Sequence, residues 1–553
     1  SDRVVNLADL PIDAVERIEI YRGFTPVRFA ASGAASVVNI VTRLPAAAGA
    51  GGSLSLGSFG TVKASLQAST HRAGGILSAV GSYRSTDGDF EYLDDNGTLA
   101  VTGDDVGRKR SNNDRESFDL LVSFSKPLAG GSRLTLREQF FHKDEGLPGL
   151  GSNESTQARM RVNRNLLSAS WSPPGGRSSL QAGLTYVEEN LRDPLDLAAG
   201  VPGLGLPYRQ ADNTSIAFNL EGHRKITAGD RHLFEAAWEA GWESFRGRFP
   251  GVPGLAKRNQ QRTMLSAALG YELYLPRPRI SLSPQLRHEI WWNGFEGESL
   301  FPPVDDKDLA PARESSTDAR ASLRWDFSPD LVVKANAGTF FRAPDFDELF
   351  GDDGFSTANP ALRAESGVNR DVGLLWQSSP AAGGGDRAAA LWQRLEVEYA
   401  YFNNDTDDMI AFVQTGARTS KPLNVAKTRV RGHELRLYMR FTGGLAVETN
   451  YTRLDGENRS PFPDFNGMKI PGLPDDELKT RLELSRARWS LAYEFHFESG
   501  LFLTQANNQL QRSPPHWNHD LTLALRPLHK RPQLEIALEI INLGDEQFSD
   551  EQG

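Results

Sequence analysis

Val430–Arg440 reads VRGHELRLYMR. On an extended chain Leu435, Leu437 and Met439 fall on one face, and Glu434, Arg436 and Arg440 on the other, because successive side chains of a strand point to opposite sides. The same period of two recurs in Val62–Thr70 (VKASLQAST), Arg133–Phe141 (RLTLREQFF), Thr317–Phe327 (TDARASLRWDF), Trp489–Phe497 (WSLAYEFHF) and Gln533–Ile541 (QLEIALEII). From about Ser53 onward the chain is a succession of such segments, each about 8–12 residues long. Each segment has one apolar face. A soluble sandwich and a membrane barrel both show that pattern, so the connections decide between them.

The connections alternate short and long. Leu128–Ser132, Pro173–Ser179, Pro276–Arg279, Ser328–Asp330 and Thr442–Gly444 are short and built from turn residues. Between them lie long polar stretches such as Arg84–Ser117, His142–Asn165, Trp242–Arg262, Arg342–Ser366 and Leu454–Glu477. Short turns at one rim and long loops at the other are the asymmetry of an outer-membrane β-barrel. Two places break the alternation: Gln377–Leu391 is long for its place, and Ser58–Gly60 is tight on the long-loop side. Taking Gln393–Val413 as one strand gives about 21 candidates, and an even-numbered barrel then has about 22, the last lying beyond Gly553. Trp171, Trp238, Trp242, Trp291, Trp292, Trp325, Phe340, Phe341, Tyr401, Phe402 and Trp489 stand near strand ends, as interfacial girdles require. The expected fold is therefore all-β.

Bulk properties agree. The chain has 553 residues, 39% of them hydrophobic and 24% charged. No apolar run approaches the roughly 18 residues of a membrane-spanning helix. A barrel strand is apolar only at alternate positions, so the mean hydropathy of −0.44 does not argue against a membrane. The formal charge of −10 argues against a general nucleic-acid binder. With no cysteine there is neither a disulfide framework nor a thiolate metal site. Ser1 is not followed by a charged start and apolar stretch, which fits a mature or trimmed chain.

Leu10–Arg43 reads LPIDAVERIEIYRGFTPVRFAASGAASVVNIVTR. Val15, Ile18 and Ile20, then Val37, Val38, Ile40 and Val41, are expected to form short buried strands, with Gly23 and Gly33 in turns. This stretch resembles the second half of the plug domain of TonB-dependent receptors. Phe341–Pro344 (FRAP), Asp347–Phe350 (DELF), Asn359–Leu362 (NPAL) and Arg370–Gly373 (RDVG) are similar to a run of barrel motifs in that family. So are Asn424–Ala426, Gly432–Leu435, Ile470–Pro474 and Ile541–Asp545, in family order. The resemblance implies residues 1–45 as the C-terminal half of a plug and 46–553 as a transmembrane barrel in the outer membrane of a Gram-negative bacterium. The first plug half and its coupling peptide have no counterpart here. Either the chain is partial or the protein is uncoupled.

The resemblance also implies partners: TonB and its inner-membrane energising complex if the full-length protein carries the coupling peptide, outer-membrane lipid, and a small-molecule metal chelate such as a ferric siderophore. The alternative is an uncoupled structural or protein-export barrel on the same fold. By resemblance the plug arginine Arg22, with Glu19 nearby, pairs with the inner-wall carboxylates Asp371 and Glu434. Strand parity places both carboxylates inward, opposite Val372, Leu374, Trp376 and Leu435. The turn Phe24–Phe29 is expected to face the extracellular vestibule, which makes Thr25 and Arg28 candidate ligand contacts, Arg28 for an anionic cargo. No histidine stands between Pro344 and Asn359, which lowers haem as the cargo. The acidic group Asp345, Asp347, Glu348, Asp352 and Asp353 matches no calcium-loop spacing. His516 and His519 alone make too few ligands for a metal. No metal site, resident cofactor or catalytic arrangement is expected.

Overall fold

The computed structural model describes residues 9, 12–22, 25–29, 36–45, 47–94, 103–150, 153–195, 204, 209–250, 258–297, 312–350, 359–378, 391–414, 420–460, 463–509, 512–528 and 534–546. Among these, 21 strands follow one another in a meander that closes into a barrel. Consecutive strands pair antiparallel, from Gly49–Leu56 with Val62–Arg72 to His516–Leu525 with Ile536–Ile540. The segment read as one long strand is one, Trp392–Gln414, with register shifts between Thr406 and Ile410.

The first strand, Gly49–Leu56, follows the last, Ile536–Ile540, in the strand order of the ring, and each has a register with one neighbour only, Val62–Arg72 and His516–Leu525. Both are exposed along their whole length, so this seam is the least covered part of the wall. A barrel of about 22 strands would differ from this ring by one strand at the seam.

The wall is inside out relative to a soluble protein. Leu269 is 63% exposed and Asp318 only 3%. Phe218, Phe234, Trp238, Leu265 and Leu286 also face outward, while Lys143, Arg262, Arg287 and Glu289 are buried toward the lumen. Apolar surface on that scale is stable only against acyl chains, and buried charge only with partners. Val372, Leu374 and Trp376 are exposed and alternate with Asp371 and Gly373, as parity requires.

Short turns close one rim. At 442–444 the backbone reverses through Gly444 at φ 77°. A Cβ there would stand 2.5 Å from the Ser485 carbonyl oxygen, so glycine is required. On the long-loop side the FRAP–DELF segment turns back over the lumen as a short helix, α1 (Phe346–Phe350). Phe346 and Leu349 pack with Leu362 and Ile410 and against Phe245 and Phe295. Trp291 and Phe341 do not join the girdle. They are buried and stacked, centroids 5.1 Å apart; Trp291 shares the inward face of its strand with Arg287 and Glu289, and Phe341 closes over it at the end of Leu331–Arg342.

Candidate functional site: a lumenal hairpin and the wall that faces it

Among the described residues three two-stranded sheets stand outside the ring: Glu91–Asp94 with Val106–Lys109, Gly149–Leu150 with Asn153–Glu154, and a hairpin near the start of the chain. In that hairpin β1 (Val15–Arg22) and β2 (Ser36–Thr42) pair only with each other, Glu19 opposite Asn39 and Ile18 opposite Ile40. The predicted strands therefore form, but their burial is one-sided. Val15 is buried, whereas Ile18, Ile20 and Val38 are exposed, because no described residue covers that face.

The opposite face is polar and tightly bonded. The Glu19 carboxylate accepts from Asn39 Nδ2 (2.9 Å), the Tyr21 hydroxyl (2.9 Å), Arg17 Nε (2.9 Å) and Arg28 (3.3 Å). The Asn39 bond above all, then Tyr21 and Arg17, holds the Glu19 carboxyl down at about 2. Arg28 also donates to the Tyr21 hydroxyl at 2.5 Å and lies over the Phe29 ring at 4.8 Å.

Among the described residues few contacts fasten the hairpin to the wall. At its base Asp9 meets Arg115 at 2.5 Å and Lys143 at 3.4 Å, and Asp13 meets Arg84 at 3.7 Å. These three cations lie toward the long-loop ends of Arg115–Pro127, Arg133–Gly146 and Gly75–Thr86. At the other end the turn 25–29 rests on the inner wall. Val27 is 3% exposed and packs on Ala237 and Ala268, residues nearer the short-turn ends of their strands. A Cβ on Gly270 would stand 2.4 Å from Val27 Cγ2, so the hairpin docks against bare backbone.

The turn thus points toward the short-turn rim, not up to the long-loop vestibule as expected. The reason is the direction of β1, whose base carries the charges that meet the cations at the loop side. Thr25 is buried, its hydroxyl without a partner among the described residues, in a niche also lined by Gln285, Arg287, Asp318 and Arg320. Arg28 is about half exposed.

Asp371 and Glu434 do come together on the inner wall. Asp371 accepts from Asn336 at 2.6 Å, and Glu434 is close enough to act on it electrostatically. The bonds of Glu19 stay within the hairpin. The Arg22 side chain lies outside the described residues, as do the Asp347 side chain, Asp352 and Asp353.

Sequence reasoning missed two inner-wall anchors. Arg287 meets Asp318 at 2.5 Å and lies over Phe341 at 4.8 Å. Arg342 binds Glu365 and Glu348, with both guanidinium edges at 2.8–3.0 Å. Inward parity could have flagged Arg287 and Asp318, but only the register makes them opposite. His516 and His519 fall on opposite faces of His516–Leu525, so they share no ligand. Among the described residues no three His, Cys, Asp or Glu side chains are grouped to hold a metal.

The TonB dependent receptor-like, beta-barrel family matches residues 71–543. The chain belongs to that family. The receptor is accordingly an outer-membrane protein of Gram-negative type, and relatives of similar sequence agree. It is 25% identical over 173 residues to the vitamin B12 transporter BtuB of Photobacterium profundum, covering 31% of this chain and 23% of that one. It is 26% identical over 168 residues to an iron-regulated outer membrane virulence protein of Vibrio cholerae serotype O1, covering 27% and 24%. The matched part thus spans about a quarter of each curated relative's length. In fold the receptor is similar to the copper transporter OprC, with TM-score 0.76, 15% identity and coverage of 98% and 81% of the two chains. It is also similar to the FrpB iron transporter of Neisseria meningitidis, at 0.71, 12%, 98% and 85%. The unliganded ferric citrate transporter FecA gives 0.70, 13%, 96% and 79%. These last three share the fold.

Proposed function

We propose that this chain is the working core of a TonB-dependent receptor that takes up a scarce metal chelate, a ferric siderophore being the first candidate. The observation that carries this reading is the contrast in attachment: a continuous wall surrounds a hairpin that, among the described residues, is held by a few ion pairs and one apolar knob. Residues 1–45 then act as the second half of a plug and 46–553 as the barrel. TonB, through a coupling peptide of the full-length protein, pulls on the plug and opens the lumen.

Arg22 is the plug cation that engages Asp371 and Glu434, with Glu19 ordering the strand that presents it. Two inward carboxylates close together suit the planar fork of an arginine. Arg28 meets anionic cargo along the passage, and Thr25 seats the turn on the wall. The barrel supplies a charged passage and no chemistry. Iron and copper transporters of this fold support the choice of cargo.

The test is uptake of labelled ferric siderophores by cells making the full-length protein, with and without TonB. Accumulation that needs TonB is expected. Absence of TonB-dependent uptake for every chelate tried overturns energised transport and favours an uncoupled structural or export barrel.

A further inference from the structure

The outer face of the wall carries a groove of about 430 Å³ near the short-turn rim. Its sides are Ile226, Phe234, Leu269 and Leu286, all pointing outward and exposed. Its floor is low because Ala236 and Pro284 are small where their neighbours are large. Pro284 also interrupts the wall. The ladder between Arg258–Leu275 and Ile280–Gly297 pairs Gly270 with Gln285 and Leu273 with Leu282, and skips what lies between. Proline has no N–H to offer a central strand, so an interruption follows there.

The groove has a charged end. Arg224 lines it, is exposed, and shares the outward face with Phe218 and Ile226. Among the described residues no carboxylate pairs with it. Glu235, which also lines the groove through its strand, turns its carboxylate to the lumen, where Lys225 holds it at 2.5 Å. A cation on the lipid-facing side, at the rim of an apolar trough, complements a phosphate with an acyl tail. The short-turn rim faces the periplasm, where the leaflet is phospholipid and not lipopolysaccharide.

We propose that this groove binds one glycerophospholipid of the periplasmic leaflet, its acyl chain over Ala236 and Pro284 and its phosphate on Arg224. The tail fills the dip and shields the interrupted ladder from other contacts. Gly270 carries Val27 of the hairpin turn on its lumenal side, so the lipid and the hairpin press on the same thin stretch of wall.

The experiment is native mass spectrometry of the full-length protein, extracted in mild detergent and reconstituted in nanodiscs of phosphatidylethanolamine and phosphatidylglycerol. One phospholipid retained through delipidation is expected. Arg224→Glu lowers retention roughly fivefold or more, and Ala236→Trp, which fills the groove, abolishes it. Heat-modifiable gel mobility confirms that each variant folds, and Arg224→Glu leaves the wall packing untouched should the tryptophan variant fail. Retention unchanged in Arg224→Glu, or retention of lipopolysaccharide in place of phospholipid, overturns the proposal.

Discussion

The wall and the hairpin are made of the same kind of strand, yet they are held in opposite ways. Each inner wall strand has two partners bonded along most of its length. Among the described residues β1 and β2 have one partner each and leave Ile18, Ile20 and Val38 uncovered. Cooperative ladders make the wall one unit, whereas the hairpin opens at a free energy set by a handful of side chains. The uptake proposed above needs both properties, and side-chain substitutions can separate them.

The largest effect is expected in the wall. Arg342→Ala leaves Glu348 and Glu365 facing each other, largely buried. The loss is about 3 kcal/mol, reduced from the fully buried case by the partial exposure of Arg342. It is read as a lower thermal midpoint together with release of α1 in hydrogen exchange. A midpoint equal to that of the unmodified protein removes the clamp from the account.

Next comes the hairpin's apolar knob. Val27→Asp buries a carboxylate against Ala237 and Ala268. Exchange of residues 15–42 should rise roughly tenfold or more while the wall keeps its heat-modifiable mobility. A simultaneous fall in wall stability would show that the two regions are one unit. Asp9→Asn cuts the links to Arg115 and Lys143. A smaller rise in exchange is expected, about 1 kcal/mol, and it should shrink at high salt.

The mildest effect is one of pH. The folded Glu19 carboxyl is depressed to about 2, so its bonds add stability above the unfolded carboxylate range. That contribution is lost as pH falls from about 4 through about 2. The protection factors of β1, exchange rates divided into the intrinsic rate at each pH, should therefore stay level down to about pH 4 and fall below it. Glu19→Gln should flatten the profile, and an unchanged profile in that variant would assign the step to another carboxylate.

Much of the wall was legible in the sequence, because parity is a local property. Glu434 against Leu435, and Asp371 against Val372, follow from counting by twos. Loop lengths gave the two rims for the same reason. Contacts across the lumen were not legible. That Val27 finds Gly270, or that Ile18 and Ile20 stay open, depends on which surfaces meet, and alternation says nothing of that. Trp291 shows the limit well. Its place near a strand end suggested a girdle, but odd positions of Ile280–Gly297 face inward there, and it stacks on Phe341. Arg287 and Asp318 became partners only through a register fixed by two turns.

The seam between Gly49–Leu56 and Ile536–Ile540 has a mechanical consequence. The hairpin joins the wall covalently through the short stretch after Thr42, and the first strand it reaches is Gly49–Leu56. Any tension carried by the hairpin is therefore delivered to the staves that are gripped least. The remaining staves, bonded on both sides, bear it only after the first has taken up the load.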